Sequence, residues 1–184
     1  MRDGRSINPV ALVTADGGTR WERIKLKEQP VALFMLNDTL GWMTTPKGVW
    51  QTNESGRTWK KLSSEKGLLA IHFLDESHGW AGGTEKRVLS TADGGKTWTP
   101  VAEAASLPGN PKRSVFDLIE FASPRLGMIV GWNRPQSEWV AGEPGWVNPE
   151  KATRRKEMPH LVISLSTNDG GKSGKFRIFH AGTP

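Results

Sequence analysis

Four acidic side chains recur in one local setting and could carry chemistry: Asp16, Glu54, Asp93 and Asp169. Each follows a threonine by two positions and precedes a glycine by two, as in Thr91-Ala-Asp93-Gly-Gly95-Lys-Thr97-Trp98. Repeated carboxylates raise two readings. A glycosidase needs an acid and a base or nucleophile held a set distance apart. A turn needs one short carboxylate that accepts backbone N–H groups two or three residues on. The candidate acids outside these four segments are Asp75, Glu76, Asp117, Glu120, Glu138 and Glu143. None lies in a motif that sets a catalytic pair, and Asp75 and Glu76 fall in a second repeated turn. The recurring acids are therefore read as turn-formers, and no catalytic residue is assigned.

Other chemistry is sparse. Gly95-Lys96-Thr97 and Gly171-Lys172-Ser173 imitate the end of a phosphate-binding loop, yet the glycine required five positions earlier is Ser90 in one and Ser166 in the other. The four histidines, at 72, 78, 160 and 180, lack the close spacing of metal ligands, so no metal or cofactor is expected. There is no Cys, which excludes disulfides and thiolate sites, and no Tyr.

The acids belong to a unit that must position them. Four segments align on S/T-x-D-x-G-x-T-W, starting at Thr14, Thr52, Thr91 and Thr167, and only the third fits throughout. The first has Arg20 for Thr, the second Glu54 for Asp, and the fourth Gly174 for Trp. Glycine supplies positive φ, β-branched Thr starts the outgoing strand, and the tryptophan (Trp21, Trp59, Trp98) anchors the hairpin against its neighbour. Glu54 is one methylene too long, which predicts a looser second turn. A second pattern precedes three of the boxes: an apolar strand, a polar turn, then Gly41-Trp42, Gly79-Trp80 or Gly127-Met128. Together the two patterns make four strands.

Successive acids stand 38, 39 and then 76 residues apart. A propeller blade of four short strands takes roughly 40–45 residues. This predicts an all-β chain, a partial β-propeller of about three and a half antiparallel blades. The units are a half blade at 9–27, blades at 30–62 and 68–101, and a blade at 114–179 split by an insertion at 133–159.

The unit Phe73-x-Asp75-x-x-x-Gly79-Trp80-Ala81-x-Gly83, followed by Val88-Leu89-Ser90-Thr91-x-Asp93-Gly94-Gly95-x-Thr97-Trp98, resembles the repeat of the photosystem II stability/assembly factor family. The resemblance covers 9–101 well and 114–179 more loosely. It implies a seven-bladed propeller that acts as an assembly chaperone on a newly made reaction-centre subunit. Sialidases, xyloglucan-degrading glycosidases and sortilin-type receptors carry the box too. A sialidase would require a Tyr nucleophile, which this chain lacks. Part of an Asp-box carbohydrate-active enzyme or glycan-binding propeller stays open as the alternative function.

The function expected first is a non-catalytic module that binds another protein through an acidic or extended segment. The insertion is the least repetitive segment and the best place for it. Trp139 and Trp146 lie beside prolines, Arg154, Arg155 and Lys156 follow, and Arg113, Arg125 and Arg134 extend the same basic character. The net charge of +6 agrees with an acidic partner. Basic residues are spread along the chain and no nucleic-acid-binding motif is present, so nucleic acid is not the expected partner. Met1–Asn8 is polar with Arg2, Asp3 and Arg5, unlike a signal peptide, and no apolar run reaches the ~20 residues of a membrane helix. The expectation is a non-exported, cytoplasmic chain, while the resemblance admits an exported or lumenal parent. With about half the family's blades, the chain is expected to be a piece of a longer protein. An arc that self-associates through its open edges is the alternative.

Overall fold

The computed structural model describes residues 9–107, 110–133, 161–169 and 177–181. Strands β1 (Val10–Val13) and β2 (Glu22–Lys25) form a two-stranded antiparallel sheet. Strands β3 (Ala32–Met35), β4 (Gly41–Thr45), β5 (Gly48–Thr52) and β6 (Lys60–Ser63) form a four-stranded meander. A second meander holds β7 (Leu68–Phe73), β8 (Gly79–Gly83), β9 (Val88–Thr91) and β10 (Thr99–Pro100). The third holds β11 (Ser114–Phe121), β12 (Gly127–Asn133), β13 (Leu161–Thr167) and β14 (Arg177–Ala181). Three blades and a half blade make an open arc, the partial propeller that the repeat predicts. Helix α1 (Ala102–Ser106) and a 3-10 turn (Pro111–Arg113) precede β11. The repeat gave no sign of α1. Its run Ala-Glu-Ala-Ala-Ser is rich in strong helix formers and sits in the longest connection between described blades.

Each of the first three boxes is a turn closed by its own side chains. In the third, the Thr91 hydroxyl donates to Asp93 (2.8 Å) and accepts from the Gly95 N–H (3.0 Å). The Asp93 carboxylate takes the N–H groups of Lys96 (3.0 Å) and Thr97 (2.9 Å) and the Thr97 hydroxyl (2.6 Å). Its reach is thus three and four residues, one further than the turn reading supposed. These bonds, the Thr97 hydroxyl first, hold the Asp93 carboxyl well below the usual carboxylate range. Asp16 is lowered too, chiefly by the Arg20 N–H. The second turn departs as its longer side chain requires. Thr52 still receives the Gly56 N–H (3.0 Å), but the Glu54 carboxylate meets the Thr58 hydroxyl (2.8 Å), with no backbone N–H on it among the bonds described. Gly94 and Gly95 adopt φ of 76° and 91°, which L side chains rarely accept.

The tryptophans divide into two classes. The box indoles fold onto their own turns: Trp59 Nε1 donates to the Gly56 carbonyl and Trp98 Nε1 to the Gly95 carbonyl. Both are half-buried, and Trp21 is 58% exposed. The anchoring role expected of Trp21 is thus not met, because no inner strands stand beside its half blade among the described residues. Trp42 and Trp80, which follow the glycines that open β4 and β8, join the blades. Trp42 is fully buried, stacks on Phe73 of the next blade (centroids 3.7 Å, planes 8° apart) and donates Nε1–H to the Gly94 carbonyl (2.8 Å). Trp80 repeats the move against Phe121 at 4.8 Å. Glycine precedes each because a side chain of the first strand lies across it: a Cβ at Gly41 would meet Met35 Sδ, and one at Gly79 would meet the Phe73 ring at 2.6 Å. Two cores result, one around Trp42, Ile71 and Phe73, the other around Trp80, Phe116 and Ile129.

Two predictions test this packing. Trp42→Ala removes a fully buried indole and lowers unfolding free energy by about 3–5 kcal/mol in urea titration. Trp42→Phe keeps an aromatic ring, strands the Gly94 carbonyl and costs about 1–3 kcal/mol. Asp93→Asn lowers the melting temperature at pH 7. Because the folded pKa of Asp93 is depressed, its contribution is complete above the unfolded value of about 3.9 and is lost as pH falls through the folded one. Melting curves from pH 7 to pH 2 therefore show a gap between wild type and variant that narrows only below about pH 4.

Candidate partner-binding surface

An antiparallel meander sends its first and third turns to one end and its second turn to the other. The boxes and the polar turns thus share one end of each blade, and in the first two full blades they are stitched together. Ser55 N–H donates to the Thr39 carbonyl (3.0 Å) and Gly94 N–H to the Ser77 carbonyl (2.9 Å). The opposite end carries the turns at 45–48 and 84–87 and the connections between blades. The insertion starts from this opposite end. Asn133 on β12 faces Leu161 on β13 in register, so residues 134–160 leave and re-enter the sheet at neighbouring points.

The base of that excursion is held by a knot of polar contacts. Asn133 Nδ2 donates to the Ser114 hydroxyl (2.8 Å), which in turn donates to the Asn110 carbonyl (2.8 Å). Asn110 Oδ1 caps the 3-10 turn through the Lys112 N–H (3.0 Å). From the second blade, Thr84 bridges to Val115 and Lys86 N–H reaches the Ser114 carbonyl. Lys86 is buried, its ammonium donates to the Leu107 carbonyl at the end of α1, and burial lowers its pKa. Sequence reading missed Asn110, Ser114, Asn133 and Lys86. Only Asn110 left a signal, as a capping residue before proline.

The cationic candidates are not brought together as a set. Arg113 lies in the 3-10 turn beside the base of the insertion and is half-buried. Arg125 lies in the turn between β11 and β12, where its N–H donates to the Ser123 hydroxyl. The whole of β11 separates the two, about 26 Å of extended chain, so Arg125 shares the box end and not the surface of Arg113. Arg134, Trp139, Trp146, Arg154, Arg155 and Lys156 lie outside the described residues. Next to the base, an open cleft of about 300 Å³ is lined by Glu65, Arg87, Trp98, Pro100, Val101 and Pro111, and Arg87 is paired with Glu65.

The acids have structural work. Asp75 accepts the N–H groups of Ser77 (2.8 Å) and His78 (2.7 Å) and pairs with the His78 ring. Although desolvation opposes it, these bonds leave the Asp75 pKa lowered. Asp117 accepts the Trp132 indole N–H (2.8 Å), and in the fourth box the Thr167 hydroxyl donates to Asp169 (2.7 Å). Glu138 and Glu143 lie outside the described residues. His72 is wedged between Phe34 (4.5 Å) and Phe121 (5.1 Å), and burial lowers its pKa against the opposing pull of Glu120. Among the described residues, no three His, Asp or Glu side chains are grouped to hold a metal ion, and no helix is long and apolar enough to cross a membrane.

Known proteins match this arrangement in part. Residues 61–131 match the family described as photosynthesis system II assembly factor YCF48. A curated relative, the chloroplastic photosystem II stability/assembly factor HCF136 of Cyanidioschyzon merolae, is 47% identical over 51 residues. That stretch is 26% of this chain and 12% of the relative, so the match spans a small part of its length. Among solved structures, YCF48 from Cyanidioschyzon merolae superposes with a TM-score of 0.56 at 19% identity, covering 67% of this chain and 42% of that one. The GH74 xyloglucanase from Xanthomonas campestris superposes at 0.54 with 14% identity, covering 97% of this chain and 35% of that one. At these identities the structures share the fold alone, whereas the sequence matches lie with the assembly factors. Over residues 61–131 the chain is similar in sequence to photosystem II assembly factors, and it shares its propeller fold with YCF48 and with the xyloglucanase.

Proposed function

We propose that the chain is a non-catalytic binding module that recognises another protein, with the surface around Arg113 and the 133–159 insertion as the docking site. The observation that carries this reading is the location of the insertion. It departs from the end of the third blade opposite the boxes, where repeat geometry leaves a sheet end free to present it. Trp139 and Trp146 supply apolar contact area, and Arg154, Arg155, Lys156, Arg134 and Arg113 supply positive charge for an acidic, extended segment. The sequence relatives are named as assembly factors, which agrees with a protein partner. The carboxylates of Asp16, Asp75 and Asp93 are engaged in fixing turns, which argues against a catalytic role for them.

The second reading is a glycan-directed propeller, favoured by the fold shared with a xyloglucanase. One pair of assays separates the two. Anisotropy titration with fluorescent acidic peptides gives saturable binding that is lost when 134–160 is replaced by a short Gly-Ser turn. In Arg113→Ala the same binding weakens about tenfold, as removal of one charge-assisted contact does. Binding that survives the deletion intact defeats the docking site. Turnover of a xyloglucan or other glycan panel by the purified chain defeats the non-catalytic reading.

A further inference from the structure

The three full blades meet a second time at their first strands, through one side chain. His72 on β7 lies between Phe34 of β3 (centroids 4.5 Å) and Phe121 of β11 (5.1 Å), so it touches rings of both neighbouring blades. It is paired in register with Trp80, which itself packs on Phe121. His72 therefore shares the seam that Trp80 closes and also reaches back to the blade before. Both flanking strands lie among the described residues, so the sandwich is independent of where the chain begins and ends.

The surroundings offer little to an imidazolium. Strands β3 (Ala-Leu-Phe-Met) and β8 (Gly-Trp-Ala-Gly-Gly) carry no charge, and β7 carries none besides His72 itself. Strand β11 carries Asp117, which accepts the Trp132 indole N–H, and Glu120, the one charge that pulls on His72 among the described residues. In the adjoining turns stand Asp38, Asp75, Glu76, His78 and Arg125, and Asp75 and His78 pair with each other. Phenyl faces attract a cation, and so does Glu120, but the ring must give up water to sit between them. Burial is the larger effect and lowers the His72 pKa.

We propose that His72 is a pH-sensitive joint: the neutral ring holds three blades together, and a proton on it loosens the second blade from its neighbours. A neutral imidazole packs between two phenyl rings as a flat, weakly polar body. An imidazolium needs water where Phe34 and Phe121 stand. The sign follows from the direction of the shift. Above the unfolded value of about 6.5 the ring is neutral whether the chain is folded or not, and the full stability is present. As pH falls from there through the lower folded value, the unfolded chain takes the proton more readily and stability is lost. This window lies above that of Asp93, whose contribution persists down to about pH 4.

The test follows the full chain from about pH 7.5 to about pH 5, across the histidine range. Proton NMR of the imidazole Cε1–H signals, with His72 identified by its absence in His72→Phe, is expected to show His72 titrating below about 6.5. Over the same range the melting temperature of wild type falls by about 2–4 °C more than that of His72→Phe, which keeps an aromatic ring in the sandwich. Amide exchange read by mass spectrometry, corrected for its intrinsic pH dependence, rises at least about threefold in residues 32–35 and 114–121 of wild type and stays level in the variant. His78→Asn, without the exposed histidine beside Asp75, shows the loss as well. A His72 signal that titrates at or above about 6.5 overturns the proposal. So does a loss of melting temperature and of protection in His72→Phe equal to that of wild type. Should His72→Phe not fold, His72→Gln identifies the signal and the wild-type titration decides.

Discussion

A stacked and hydrogen-bonded indole carries the first full blade onto the second. Trp42 lies flat on Phe73 at 3.7 Å and sends its N–H into the carbonyl of Gly94. The stacking removes two aromatic faces from water, while the bond, which weakens steeply when misaligned, limits the angle between sheets. Sheets without a lateral partner would expose an apolar face, so the arc depends on this contact being repeated. The second occurrence, Trp80 with Phe121, is looser, with the rings 4.8 Å apart and tilted by 33°.

The Asp box matters to this contact because it aims the carbonyl. Thr91, Asp93 and Thr97 close the turn through side chains, so the turn does not depend on neighbouring blades for its shape. Positive φ at Gly94 and Gly95 turns the backbone so that Gly94 faces the preceding blade. A local hydrogen-bond circuit therefore sets a long-range packing contact. This explains why the acid of the box is engaged in structure, and it agrees with a fold shared by an assembly factor and a xyloglucanase. It fixes blades, and other segments decide what the blades hold.

Much of this was legible in the residues. The spacing of Asp16, Glu54 and Asp93 announced blades, and the methylene added by Glu54 announced a looser second turn. Other features were hidden. The sequence pattern assigns no task to the first threonine of the box, yet its hydroxyl is the hub that donates to Asp93 and receives the Gly95 N–H. Trp42 and Trp98 look alike in sequence, yet one closes a seam and the other folds onto its own turn, because residue type does not state which face of a strand meets a neighbour. Arg113 and Arg125 are close in number and stand at opposite ends of β11, since a strand converts short sequence separation into distance. The knot of Asn110, Ser114 and Asn133 joins residues that only strand pairing brings together.

The two ends of each blade have different duties: the box end is internally satisfied, and the other end carries the connections and the insertion. Both duties rest on blades that stay joined, so the seam is the claim to test. A double-mutant cycle between Trp42 and Phe73, with each replaced by Ala singly and together and unfolding free energies read from urea titration, measures it directly. The account predicts a coupling energy of about 1 kcal/mol or more between the two rings. Additive losses, with coupling near zero, would contradict it.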